Sequence, residues 1–225
     1  MAKLKKSTIG DEMKKLALVC GILASVVSVS MGAMSYEELE RARHNCFNND
    51  KSACQALIND GLPSVEQCDK DTCTSVGTVY LFAERYREAI PYFEKAIALG
   101  DNRGYAALGQ NYAELQDYYN AKKYYEIACN KGVSEVQGES CYNLGVMYAN
   151  GKGVRQDYYK AHEFYKKACD MKNGHACNNL GVLYAKGQGV RQNLSTTKQY
   201  YGKACDLGDQ LGCDNYKLLH NQGVQ

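Results

Sequence analysis

Ala168-Cys169-Asp170-Met171-Lys172-Asn173-Gly174-His175-Ala176-Cys177-Asn178-Asn179-Leu180-Gly181-Val182-Leu183-Tyr184 is the stretch from which the rest of the chain can be read. Its Cys-x7-Cys spacing returns at Cys205/Cys213 and, near the N-terminus, at Cys46/Cys54. Its Leu-Gly-x-x-Tyr core returns at Leu144-Gly145-Val146-Met147-Tyr148 and at Leu108-Gly109-Gln110-Asn111-Tyr112. Cys141, Cys177 and Cys213 fall 36 residues apart, as do Gly109, Gly145 and Gly181. A fixed period of that size means stacked supersecondary units, each burying its apolar face only against its neighbours.

Working outward, helices are expected in pairs: Thr74–Glu84 with Tyr86–Leu99, Gly104–Leu115 with Tyr118–Lys131, Gly138–Ala149 with Tyr158–Met171, and His175–Ala185 with Leu194–Leu207. A last helix is expected over Gln210–His220. Asp117, Asp157 and Asn193 stand where helix N-caps belong. Gly77, Gly109, Gly145 and Gly181 lie inside helices, where glycine costs about 1 kcal/mol relative to alanine. That cost is explained if the second helix packs closely there, opposite Ala89, Ala121 and Ala161. Leu108, Leu144 and Leu180 and the tyrosines three residues after each glycine would then fill the stacking interface. Glycine spacing is 32 residues for the pair 77/109 and 36 thereafter. The added residues form the loops Asn150–Gln156 and Lys186–Gln192, both with Gly-x-Gly, but these join helix to helix and so do not read as phosphate loops.

The first 33 residues are of another kind. Lys14 and Lys15 precede an apolar run from Leu16 to Val27, and small residues follow up to Ala33. That order describes a cleavable secretory signal, with either Met1 or Met13 as the start. Removing it leaves 22 basic side chains against 23 acidic ones. Near neutrality argues against nucleic acid or an anionic membrane as partner, and no stable membrane insertion is expected after cleavage. Cys20 leaves too, turning eleven cysteines into ten, and an even count in an exported chain reads as a disulfide framework. The 45% hydrophobic and 23% charged composition is ordinary for a soluble protein. Nineteen tyrosines are not ordinary, and they fit a residue recurring at set places in a repeat.

On the Ala-Cys-x7-Cys-x-x-Leu-Gly-x-x-Tyr pattern the chain resembles the Sel1-like repeats, a branch of the tetratricopeptide superfamily. With Cys-x7-Cys bridging successive repeats, it also resembles the Helicobacter cysteine-rich protein family. The resemblance implies an all-α, right-handed solenoid of helix pairs over residues 73–225, preceded at 34–72 by a stapled partial repeat and connector. It departs from the pattern at Gly77 and Gly109, whose repeats are short and tetratricopeptide-like. Tyr105 also stands where a cysteine belongs, and Cys129/Cys141 encloses four extra residues. The expected bridges are Cys46–Cys54, Cys68–Cys73, Cys129–Cys141, Cys169–Cys177 and Cys205–Cys213. Structural zinc would ask for a Cys-x2-4-Cys knuckle with a second close pair, and a redox enzyme for Cys-x-x-Cys; Cys68/Cys73 has no such second pair, no Cys-x-x-Cys occurs, and no metal or cofactor is expected.

The candidate ligand-binding residues also come by resemblance. Asn143, Asn179 and Asn215 each follow a 36-spaced cysteine by two residues. In tetratricopeptide domains that position lines the concave groove and bonds the main chain of an extended ligand. Tyr142, Asn178, Asp214, His175 and Lys186 would stand beside this ladder. An amide both donates and accepts, which suits the amides of a peptide, an exported protein or a peptidoglycan fragment. The other three histidines (His44, His162, His220) read as surface or packing residues, and none of the four shows a ligand spacing or a neighbouring carboxylate pair.

The cysteine-rich family is described as penicillin-binding and as β-lactamases, which implies β-lactam binding or weak hydrolysis as the alternative function. Ser195-Thr196-Thr197-Lys198 fits the Ser-x-x-Lys part of that signature, but neither Ser-Asp-Asn nor Lys-Thr-Gly occurs. Ser195 and Lys198 are therefore the only catalytic candidates. The expected setting is the periplasm or the medium.

Overall fold

A computed structural model describes residues 44–48, 50–131 and 134–224. The expected signal at 1–33, the choice of start, and most of the helix expected over 36–46 lie outside the described residues. Among the described residues, 44–47 are helical, ten further helices follow one another, and no strand occurs. They are α1 (Lys51–Gly61), α2 (Lys70–Phe82), α3 (Tyr86–Ala98), α4 (Arg103–Glu114), α5 (Tyr118–Lys131), α6 (Ser134–Asn150), α7 (Tyr158–Asp170), α8 (Gly174–Lys186), α9 (Leu194–Asp206) and α10 (Gln210–Asn221). The described residues fall into two compact units, one ending at Ala107 and the other beginning at Leu108, inside α4.

Two helices begin four residues earlier than expected: α6 at Ser134 rather than Gly138, and α2 at Lys70 rather than after Cys73. Asp69 caps it by accepting from the Thr72 amide at 2.9 Å, so Cys73 is helical. All five expected disulfides are present: Cys46–Cys54, Cys68–Cys73, Cys129–Cys141, Cys169–Cys177 and Cys205–Cys213. In the first unit Tyr92 donates its hydroxyl to the Pro63 carbonyl at 3.0 Å, tying the connector to α3.

The glycine rule holds, but its partner differs from expectation. A Cβ on Gly77 would stand 2.6 Å from the Phe93 ring, and one on Gly109 would stand 2.5 Å from the Tyr125 ring. Gly145 meets Tyr165 at 2.4 Å and Gly181 meets Tyr201 at 2.5 Å in the same way. The glycine thus makes room for an aromatic ring, not for a close approach to Ala89, Ala121 or Ala161. Those alanines are buried one turn earlier on the second helix.

The residue before each of these rings completes the unit. Tyr80 stacks on Tyr92, Tyr112 on Tyr124, Tyr148 on Phe164 and Tyr184 on Tyr200, with centroids 5.4–5.6 Å apart. An aromatic dipeptide on the second helix therefore grips both the Gly and the Tyr of Leu-Gly-x-x-Tyr. Offset stacking of this kind adds about 0.5–1.5 kcal/mol per pair beyond the buried area. Leu108, Leu144 and Leu180 are fully buried beside it.

The connections obey the same economy. Short hairpins turn on the left-handed residues Glu84 and Gln116, whereas the longer loops use Gly151/Gly153 and Gly187/Gly189. Those loops lie down on the previous repeat: a Cβ on Gly153 would come within 2.2 Å of Tyr118, and one on Gly189 within 2.5 Å of the Tyr158 main chain. Gln156 and Gln192 hold them, each donating to a carbonyl of the preceding helix, Ala149 at 2.7 Å and Ala185 at 2.8 Å.

Candidate functional site

In the second unit α8 touches both α6 and α10, so the first helices of successive repeats adjoin one another. The side chains proposed from sequence lie on these three helices. Their amides are already partly engaged. Asn215 Nδ2 donates to Asn178 Oδ1 across the two repeats at 3.0 Å. Asn178 is buried rather than displayed. The Asn179 amide faces the hydroxyls of Tyr142 and Tyr165. Burial raises both phenols above their usual range, and Asn179 offsets part of the rise. Asn143 is half-buried on α6, and Lys186 is exposed at the C-terminal end of α8. Asp214 accepts from Gln210 at 2.9 Å.

His175 has a carboxylate partner that its sequence neighbours do not supply. Its Nδ1 bonds Asp209 Oδ2 at 2.5 Å, and Asp209 also caps α10 by accepting from the Gly212 amide at 2.6 Å. Asp209 is 3% exposed at its side chain while His175 is 68% exposed, so a buried acid fixes the orientation of an open imidazole. The Tyr142 ring lies 6.0 Å from the imidazole, centroid to centroid. Thirty-four residues separate His175 from Asp209, so no local pattern joins them. A periodic one does. Asp101, Asn173 and Asp209 all precede a first helix, and each bonds a side chain at the start of the previous one: Thr74 at 2.6 Å, Glu139 at 2.8 Å and His175. Tyr165 was the other residue missed. Its aromatic dipeptide hides a polar end that reaches Asn179.

The result is a connected polar row of Tyr142, Tyr165, His175, Asp209 and Asn179, with the Asn178–Asn215 pair beside it. Each amide keeps further donor and acceptor capacity, and His175 offers a held, solvent-facing ring nitrogen. Such a surface can recognise the main-chain amides of an extended chain.

Ser195 and Lys198 lie elsewhere, on the first and second turns of α9. Ser195 is exposed, and the Lys198 ammonium donates to the Val224 carbonyl and lies 5.8 Å from the Tyr216 ring centroid. They share a shallow depression of about 430 Å³ with Tyr216 and Asp206. Among the described residues the lysine is thus held by the C-terminal segment rather than by the serine. No cluster of His, Cys, Asp and Glu suited to a metal ion occurs among the described residues, and no described helix is long and apolar enough to cross a membrane.

The repeat units coincide with known sequence families. The Sel1 repeat matches residues 138–173 and 174–209, the helix pairs α6–α7 and α8–α9. The tetratricopeptide repeat matches residues 71–99 and 103–130, the pairs α2–α3 and α4–α5. The chain belongs to the Sel1-like repeat proteins.

Cysteine rich protein B of Helicobacter pylori is 32% identical over 58% of this chain and 94% of its own, with a TM-score of 0.46. A protective antigen of uropathogenic Escherichia coli is 24% identical over 83% of this chain, with a TM-score of 0.56. The present chain spans only 44% of that antigen's length. A Sel1 repeat protein from Oxalobacter formigenes is 21% identical over 77% of this chain and 71% of its own, with a TM-score of 0.58. No curated protein sequence matches the chain.

Proposed function

We propose that this disulfide-rich scaffold is exported and binds an extended peptide segment of another exported protein along α6, α8 and α10. The observation that carries this is the polar row on adjoining first helices, from Tyr142 through His175 and Asn179 to Asn215, with half-buried Asn143 next to Tyr142 on α6. Repeats placing amides and a fixed imidazole side by side suit a ligand whose own amides repeat. Five disulfides support an oxidising compartment, either the periplasm or the medium.

The test is selection of binding peptides from a displayed random library on the oxidised full chain, followed by calorimetry on Asn143→Ala, Asn179→Ala and Asn215→Ala. Each amide lost removes about 0.5–1.5 kcal/mol, hence a severalfold to roughly tenfold loss of affinity. The triple variant should bind nearly nothing. Asn143→Ala should leave the melting temperature unchanged. Asn179→Ala and Asn215→Ala should lower it slightly, since their partners are internal. Unchanged affinity in all three variants places the site off this face.

A further inference from the structure

On the loop edge of the second unit, away from the amide row, a cavity of about 670 Å³ opens between the Gly151–Gln156 loop, the first turn of α7 and Gly189. Its wall carries Arg155, Lys160 and Tyr159. The one carboxylate there, Asp157, is occupied in capping α7, where it accepts from the Lys160 amide at 3.1 Å. Gln156 is likewise committed, to the Ala149 carbonyl and the Tyr158 hydroxyl at 2.7 and 3.0 Å. The two cations are not. Arg155 is exposed with no ion pair among the described residues, and the Lys160 ammonium rests 5.2 Å from the Tyr148 ring centroid, a position compatible with a second, anionic partner. Tyr159 is 74% exposed, an open aromatic face beside both charges.

The repeat makes this place singular. The other long loop, Lys186–Gln192, repeats the Gly-x-Gly-Val-Arg-Gln sequence, yet there Asp157-Tyr158-Tyr159-Lys160 is replaced by Asn193-Leu194-Ser195-Thr196. The earlier Asp117-Tyr118-Tyr119-Asn120 has the tyrosines but no such loop and no lysine at the fourth place. Scaffold demands are common to the repeats, so a combination found once is not explained by them.

We propose that this cavity binds a carboxylate-bearing sugar of an acidic polysaccharide. The Arg155 fork matches a carboxylate in two parallel hydrogen bonds, Lys160 adds a point charge, and the Tyr159 face takes the C–H side of a pyranose ring. An open wall that mixes polar and aromatic groups suits a hydrated sugar better than an apolar ligand.

The test is calorimetry of the oxidised full chain with tetragalacturonate, its methyl ester and inorganic phosphate, at low salt. The acid should bind saturably, and the neutral ester at least tenfold more weakly. Phosphate should compete only at concentrations far above those of the sugar. Arg155→Gln should cost tenfold or more and Tyr159→Ala severalfold, with melting temperatures unchanged because both side chains are exposed. Arg191→Gln, at the matching place in the other loop, should bind like the parent. Absence of saturable binding, equal binding of acid and ester, phosphate competing as well as the sugar, or equal loss in Arg155→Gln and Arg191→Gln overturns the proposal.

Discussion

At the residue scale the decisive position is the helical glycine. Gly181 sacrifices helix propensity so that the Tyr201 ring can lie against the backbone, and the same exchange occurs at Gly77, Gly109 and Gly145. Gly181→Ala gains about 1 kcal/mol of intrinsic helix preference but overpacks a buried ring, a cost of about 1–3 kcal/mol. The Tyr201 ring atoms are 2.5 Å from the new Cβ, and a buried ring cannot rotate away. Net destabilisation is expected in urea unfolding; a stabilised variant would show that the ring is not held as described. The opposite change belongs at Lys172. It has φ 65°, while Gly100 and Gly208, which turn the equivalent corners, have φ 87° and 85°. A non-glycine residue in this left-handed region is strained by about 1–2 kcal/mol. Part of that is returned as greater freedom of the unfolded chain, so Lys172→Gly should raise stability by up to about 1 kcal/mol. The same unfolding experiment checks it.

At the element scale, a helix pair is assembled by three local devices: the capping side chain, the aromatic dipeptide, and the disulfide leading into the next pair. Cys169–Cys177 joins the end of α7 to the start of α8, where the corner is also closed by the Asn173 amide donating to the Ala168 carbonyl at 3.0 Å. Closing a loop of this size stabilises by about 2.5 kcal/mol in the chain-entropy model. The double change Cys169→Ser/Cys177→Ser should lower unfolding free energy by about that amount while leaving far-ultraviolet dichroism unchanged in buffer. The Leu144, Leu180 and tyrosine layers remain to hold the helices. Loss of the helical signal would mean that the bridge, not the layers, carries the pair.

At the scale of the whole molecule, acid is the informative stress. Burial alone would push the Asp101 carboxyl up, but hydrogen bonds from Arg103 and Thr74, with the guanidinium charge, hold it below the usual 3.8. Asp69 and Asp117 are also lowered, chiefly by hydrogen bonds from the residues that they cap. A carboxyl depressed in the folded state contributes stability that is full above its unfolded pKa and is lost as pH falls through the folded one. Melting temperature should therefore fall as pH drops below about 4. His162 acts in the same direction at milder pH. Burial and Lys166 lower its pKa from 6.5, so the unfolded chain takes up the proton first and stability declines as pH falls below that value. Differential scanning calorimetry from pH 8 to 3 on the parent and Asp101→Asn checks both; the variant should show a shallower loss at the acid end.

The 36-residue period, the cysteine spacing and the helix punctuation are local features, each contained within a few turns of chain. They determined the helix pairs and, together with the family resemblance, pointed to the five bridges, whose partners lie only 5 to 12 residues apart. The capping residues were equally legible, since an N-cap acts on amides two or three residues away. What filled the space beside each glycine was not legible. Gly181 and Tyr201 are 20 residues apart, and only the packing angle of two helices chooses the ring over the neighbouring alanine position. The site divides in the same way. Asn143, Asn179 and Asn215 could be picked out by periodicity, but the partners of Asn179 and Asn215 are supplied by the preceding repeat. The His175–Asp209 and Asn178–Asn215 bonds follow from the stacking offset between α8 and α10. That offset is set by the summed packing of whole helices, a tertiary quantity that no short stretch of sequence contains.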